Sequence, residues 1–216
     1  MANYAFLSLW FREFTIASGL THLEKVLSHF PVSAQQPGLR LVVRSLDPGQ
    51  SPSLEVDLLA TPADVRAAAA EFLHDDTAYE VTAYCDLWQP RAEGAWEQAP
   101  MPVEFLLAGE EFDAARYREV GHLQANLGPE TLYLQVMPSP TPSEAGPSLR
   151  FARENVRRLF AFLRSLEKEL PLADLPAGEL GQAGWRLWSE GDPDFSVRSE
   201  QLLFGTAAPP TQDPRP

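Results

Sequence analysis

Cysteine and lysine are scarce in this chain, and each scarcity narrows what it can be. Cys85 stands alone among 216 residues, so an intramolecular disulfide and a cysteine-based zinc site are both excluded. Lysine occurs only at Lys25 and Lys168, which leaves arginine as nearly all of the seventeen basic residues. Long apolar runs are missing too: no stretch of eighteen such residues exists to span a bilayer. The opening MANYAFLSLWFREF has no basic n-region and reaches Arg12 and Glu13 too early for a signal peptide. These absences lead to the expectation of a cytoplasmic protein with no membrane segment.

Several chemical signatures are also lacking. No GxxxxGK[ST], GxGxxG or GxSxG occurs, so nucleotide-binding loops and a nucleophile elbow have no support. No HxH, HExxH or HxxxE spacing accompanies the four histidines, and neither a metal nor a cofactor is expected. The formal charge of -13 and a pI near 4.7 argue against nucleic-acid binding, which depends on basic surface. Both are compatible with a basic protein partner.

What is present is a core and a readable order of elements. Hydrophobic residues make up 44% of the chain, enough to build a buried interior. Tyr4 to Phe11 reads as a strand. In IASGLTHLEKVLSHF, Ile16, Leu20, Leu23, Val26, Leu27 and Phe30 share one helical face. LRLVVRSL and LEVDLL follow as strands, and TPADVRAAAAEFLH is a helix with Thr61 as N-cap, Pro62 at its first position and Asp64 three residues on. YEVTAYCDLW closes the run as a strand. This is the β-α-β-β-α-β order of a ferredoxin-like unit, so the expected fold class is α+β with such a unit over residues 1–90. Two helices would then cover one face of a sheet whose first and third strands are central.

Residues 91–102, RAEGAWEQAPMP, read as a connection. Residues 103–205 read as a strand-rich half, with VEFLLAGEEF, GHLQANL and TLYLQV as strands, one long helix over 148–170, and a hairpin in GWRLWSEGDPDFSVRSEQLLF bent at GDPD. Residues 206–216 hold four prolines without apolar periodicity and read as a flexible tail.

The helix RFARENVRRLFAFLRSLEKEL is the most strongly patterned segment. Ala152, Val156, Leu159, Leu163, Leu166 and Leu170 share one face, while Arg150, Arg153, Arg157, Arg164 and Lys168 lie opposite and Arg158 lies on the flank. Six basic residues against three acidic ones leave this segment at +3, and the rest of the chain at -16. A packed helix normally carries a charged outer face, so the leucine seam should be buried. The stripe, with Arg153, Arg157 and Arg164, is also a candidate docking face for an acidic partner or a phosphate. Trp185 and Trp188 fall on opposite faces of a strand and are further partner-binding candidates.

One segment has the ingredients of catalysis. In GEEFDAARYREVGHLQANL, Glu110, Glu111 and Asp113 put carboxylates near His122, which can act as a base if a carboxylate tunes it. A strand from Gly121 would align His122, Gln124 and Asn126 on one face, a row able to orient a polar ligand. The leading expectation is a non-catalytic acidic binding protein, of an immunity-type or other inhibitory kind. The alternative is a small-molecule enzyme using His122 with Glu110, Glu111 or Asp113.

Overall fold

The computed structural model describes residues 3–45, 51–112, 120–134, 142–173 and 184–204. Among them are seven strands, β1 (Tyr4–Leu9), β2 (Leu39–Ser45), β3 (Leu54–Leu59), β4 (Thr77–Pro90), β5 (Trp96–Ala108), β6 (Leu123–Pro129) and β7 (Trp185–Ser189). The helices are α1 (Ile16–His29), α2 (Pro62–Ala70), α3 (Pro142–Glu169) and α4 (Phe195–Phe204). The protein is α+β, with all seven strands in one antiparallel sheet ordered β3-β2-β4-β5-β6-β1-β7.

Local signals place the helices. Thr15 caps α1 and Thr61 caps α2, each accepting from the backbone N–H three residues on. In return Ser18 and Asp64 accept from the N–H of the two caps, which satisfies both orphan donors reciprocally. Alternation then assigns the sheet's buried face. Leu7, Leu9, Leu41, Val43, Tyr79, Val81, Phe105, Leu107, Leu123 and Leu187 are all buried, in one core with Leu23, Leu27, Val65, Leu163, Leu166 and Phe195 of the helices. Phe30 at the end of α1 meets Phe105 of the sheet and Phe162 of α3 edge-on, at 5.1 and 5.6 Å between centroids.

The strand order departs from the ferredoxin-like expectation. β3 is an edge strand, and β1 lies far from β2–β4, between β6 and β7. The cause is the β4–β5 hairpin. Its register runs from Ala78↔Ala108 to Pro90↔Trp96, so β5 takes the edge of β4 that β1 would have needed. The expected connection at 91–102 is thus the tip of this hairpin and the first half of β5. Pro100 and Pro102 fit there because β6 pairs with β5 only over Glu104–Leu107, leaving no second ladder among the described residues for a proline to break.

Two further segments differ from expectation. TLYLQV is not a strand over its described part: Glu130–Leu132 is a 3-10 turn, and Tyr133 donates its hydroxyl to the Leu127 carbonyl. The bend at GDPD leads from β7 into α4 rather than into a second hairpin strand, with Asp192 accepting from the Asp194 N–H and pairing with Arg198 at 2.6 Å. The tail at 206–216 lies outside the described residues.

Candidate functional site

The site grows out of an unpaired edge. β2 pairs with β4 only as far as Arg40↔Thr82, so among the described residues the rest of the long β4 has on that side no named strand, only the isolated bridge Val32↔Cys85. Bare backbone groups there would cost as much as lost hydrogen bonds if buried. Other elements satisfy them. The Ser33 N–H donates to the Tyr84 carbonyl at 2.6 Å, and Arg158 of α3 donates to the Asp86 carbonyl. Asn155, fully buried on α3, accepts from the Trp88 N–H and donates to the Trp88 carbonyl, both at 2.9 Å. Its second N–H reaches the Leu132 carbonyl at 3.0 Å. One amide side chain thus replaces a strand neighbour and ties α3 to the sheet.

Sealing the edge this way leaves a cavity of about 280 Å³ between α3, β4 and the segment after α1. Its walls are mostly apolar, among them Phe30, Leu87, Leu127, Leu159 and Phe162, with Val32 at 42% exposure. Polar groups enter at Cys85, Asp86, Gln98, Asn155 and Arg158. The Asp86 carboxylate is turned to Ser33, accepting from its hydroxyl at 2.5 Å and from the Ala34 N–H at 3.3 Å. Burial, with Asp86 adding to it, pushes the Cys85 thiol up to about 12, which keeps it protonated and a poor nucleophile.

Arg158 also borders a second concavity, a surface groove of about 510 Å³ along α3. Four arginines line it, Arg150, Arg153, Arg157 and Arg158, against a single carboxylate, Glu154. Arg157 pairs with Glu154, and Arg158 stands 3.8 Å from it. The Arg153 Nε donates to the Leu202 carbonyl, and the Arg150 guanidinium sits 5.9 Å from the centre of the Phe151 ring. Neither of these two has a carboxylate partner among the described residues. Phe151 is flanked by Trp88 at 4.3 Å and Trp96 at 5.4 Å, an aromatic wall beside the cations.

Comparison with protein-family models, curated proteins and solved structures returns no match.

The face of the sheet away from the helices carries a third concavity, of about 410 Å³. Strand register aligns Arg40, Thr82, Glu104, Asn126, Phe6 and Trp188 in one transverse row. Glu80, Leu106, Gln124, Ser8 and Arg186 form the next. Arg44 holds Glu80 through Nε at 3.1 Å to both carboxylate oxygens. Trp188 stacks on Phe6 at 4.6 Å and donates to the Ser8 hydroxyl at 3.0 Å. Gln124 and Asn126 line this concavity, while Trp185 faces the other way and donates to Glu167 of α3 at 2.8 Å.

His122 sits apart from that row. Gly121, at a φ of +98°, turns the chain just before β6, and the His122 ring stacks on Phe14 at 4.1 Å. Its Nδ1 accepts from the Phe11 N–H at 2.9 Å. Burial, followed by the nearby His22, pushes its pKa down to about 4. Glu110 and Glu111 are exposed in the turn after β5, where the Glu111 N–H donates to the Asp75 carbonyl. Asp113 lies outside the described residues. Of the helix candidates, Arg153 and Arg157 meet in the groove, and Arg164 is exposed on the same helix beyond the residues that line it. Sequence reasoning put Arg150 in the basic stripe without singling it out, and missed Arg158, Trp88 and Phe151 as parts of the site. A signal existed in the i, i+3, i+7, i+8 spacing of the four arginines.

Proposed function

We propose that this is a non-catalytic binding protein whose arginine groove on α3 receives an anionic group. The observation that carries the reading is the charge balance in the groove: among the described residues that line it, four arginines to one carboxylate, in a chain with thirty Asp and Glu residues. Like charges gathered within two helical turns repel one another, and a protein this acidic has ample means to pair them. An anion relieves the repulsion, and the guanidinium fork matches carboxylate and phosphate oxygens. The state of His122 supports the same reading, since a base with a pKa near 4 is a weak proton acceptor at neutral pH.

Calorimetric titration with inorganic phosphate at low salt tests it. Binding should weaken as salt rises and fall about tenfold or more in an Arg150→Ala, Arg157→Ala double variant, at roughly 1.4 kcal/mol per tenfold. Equal affinity in wild type and variant, or no binding at low salt, rejects the groove as an anion site.

A further inference from the structure

The apolar cavity and the arginine groove adjoin at one residue, Arg158, which lines both. We infer that the natural ligand is an anionic amphiphile, with its apolar body in the cavity against Cys85 and its charged head among the arginines. This rests on the reading of the groove as an anion site and adds the chemistry of the rest of the ligand.

Size supports the body. A dry apolar cavity of about 150 Å³ accommodates a benzene ring, and this one measures about 280 Å³. It therefore holds a chain or ring system of roughly ten carbon-sized atoms. The walls supply apolar contact from Phe30, Leu87, Leu159 and Phe162. Val32, left 42% exposed beside Pro31, adds an apolar rim.

Charge supports the placement of the head. Asp86 keeps its charge at the cavity wall, held on the Ser33 hydroxyl and the Ala34 N–H, so an anionic head is favoured on the arginine side and not beside Asp86. Among the described residues the ion-pair partner of Arg158 is Glu154, with Oε1 3.8 Å from its Nε, and the other oxygen of that glutamate serves Arg157. A head carried out of the cavity past Arg158 meets Arg157 and Arg153 next. A cation would find the opposite arrangement, and a neutral apolar molecule would leave the arginines unused.

The lone cysteine makes the test direct, because every thiol signal comes from the cavity wall. Octyl phosphate, inorganic phosphate and 1-octanol are titrated separately by calorimetry. Because the Cys85 thiol is buried and protonated, its slow modification by a large excess of methyl methanethiosulfonate is followed with each. Octyl phosphate should bind at least about a hundredfold tighter than inorganic phosphate, since each buried methylene adds to affinity. It should also slow Cys85 modification about tenfold or more. Octanol should bind more weakly than octyl phosphate. Cys85→Met extends a side chain into the cavity and should remove most of the octyl advantage while leaving phosphate affinity intact. Should that variant fold poorly, protection of wild-type Cys85 decides alone. If phosphate binds but octyl phosphate binds no tighter and leaves the rate of Cys85 modification unchanged, the amphiphile is rejected while the anion groove stands. If neither binds, both readings fall. Octanol binding as tightly as octyl phosphate would also overturn the proposal, because the head would then contribute nothing.

Discussion

Replacing Asn155 with leucine removes three hydrogen bonds, of 2.9, 2.9 and 3.0 Å, from the buried junction between α3 and the free edge of β4. The Trp88 N–H, the Trp88 carbonyl and the Leu132 carbonyl are then left without those partners. An orphaned buried backbone group costs about 1–3 kcal/mol. With some relief from the apolar contacts of leucine, the expected loss is about 3–6 kcal/mol. That is a large share of the roughly 5–15 kcal/mol by which a domain is stable. Urea unfolding read through tryptophan fluorescence measures it, as a lower midpoint at unchanged slope. Asn155→Asp sharpens the argument. Its ionised carboxylate can still accept from the Trp88 N–H, but it faces two carbonyls to which asparagine donated. Protonation restores one donor, so the deficit of this variant relative to wild type should shrink as pH falls. A leucine variant within about 1 kcal/mol of wild type, or an aspartate deficit that does not change with pH, would refute the role given to this amide.

Acidification should also destabilise the wild type through His122. Its folded pKa of about 4 lies below the unfolded value of 6.5, so the unfolded state binds the proton first. Stability is then fully present above pH 6.5 and declines by about 3 kcal/mol as pH falls to 4. His22 is lowered by burial as well and acts in the same direction. Comparing unfolding of wild type and His122→Gln across this range isolates the effect, and parallel pH profiles would contradict it. Leu163, 1% exposed, should cost about 2–5 kcal/mol as alanine. Arg157→Ala, whose side chain is 61% exposed, should leave the melting temperature nearly unchanged. The reverse outcome would mean that α3 is turned the other way. Gly109→Ala should be severely destabilising, because an added Cβ would lie 2.1 Å from the Asp75 carbonyl oxygen; a soluble variant melting like wild type would refute that contact.

What could be read from the chain was local. The capping box at Thr61 needs only four residues, and α2 begins where those residues place it. The leucine face of α3 needs only its own periodicity, and Leu159, Leu163 and Leu166 are buried. Strand order was not legible, because alternation states which side of a strand is buried but not which strand lies beside it. The prolines of QAPMP hid half of β5, since their tolerance depends on the β5–β6 pairing ending at Glu104. α4 was missed although Asp194 stands directly before it and Phe195, Ser199, Leu202 and Leu203 follow helical spacing. The candidate site was half visible. Arginines at helical spacing are a sequence fact. Their deficit of carboxylates, and the cavity behind Arg158, arise only once β4 outruns β2.

The place of β1 has a consequence for how the chain acquires its structure during synthesis. β1 is made before the other six described strands, yet its neighbours are β6 and β7, at residues 123–129 and 185–189. By contrast β2, β3, β4 and β5 form successive local antiparallel pairs that can assemble as they emerge from the ribosome. At roughly 5–20 residues per second, Leu7 and Leu9 wait on the order of ten seconds for the strands that will cover them. Closing so long a loop makes the pairing slow and leaves an apolar strand available to wrong partners meanwhile. β1 therefore joins the sheet only after β2–β5 can have assembled, and a nascent chain arrested before Leu123 should retain a protease-sensitive β1.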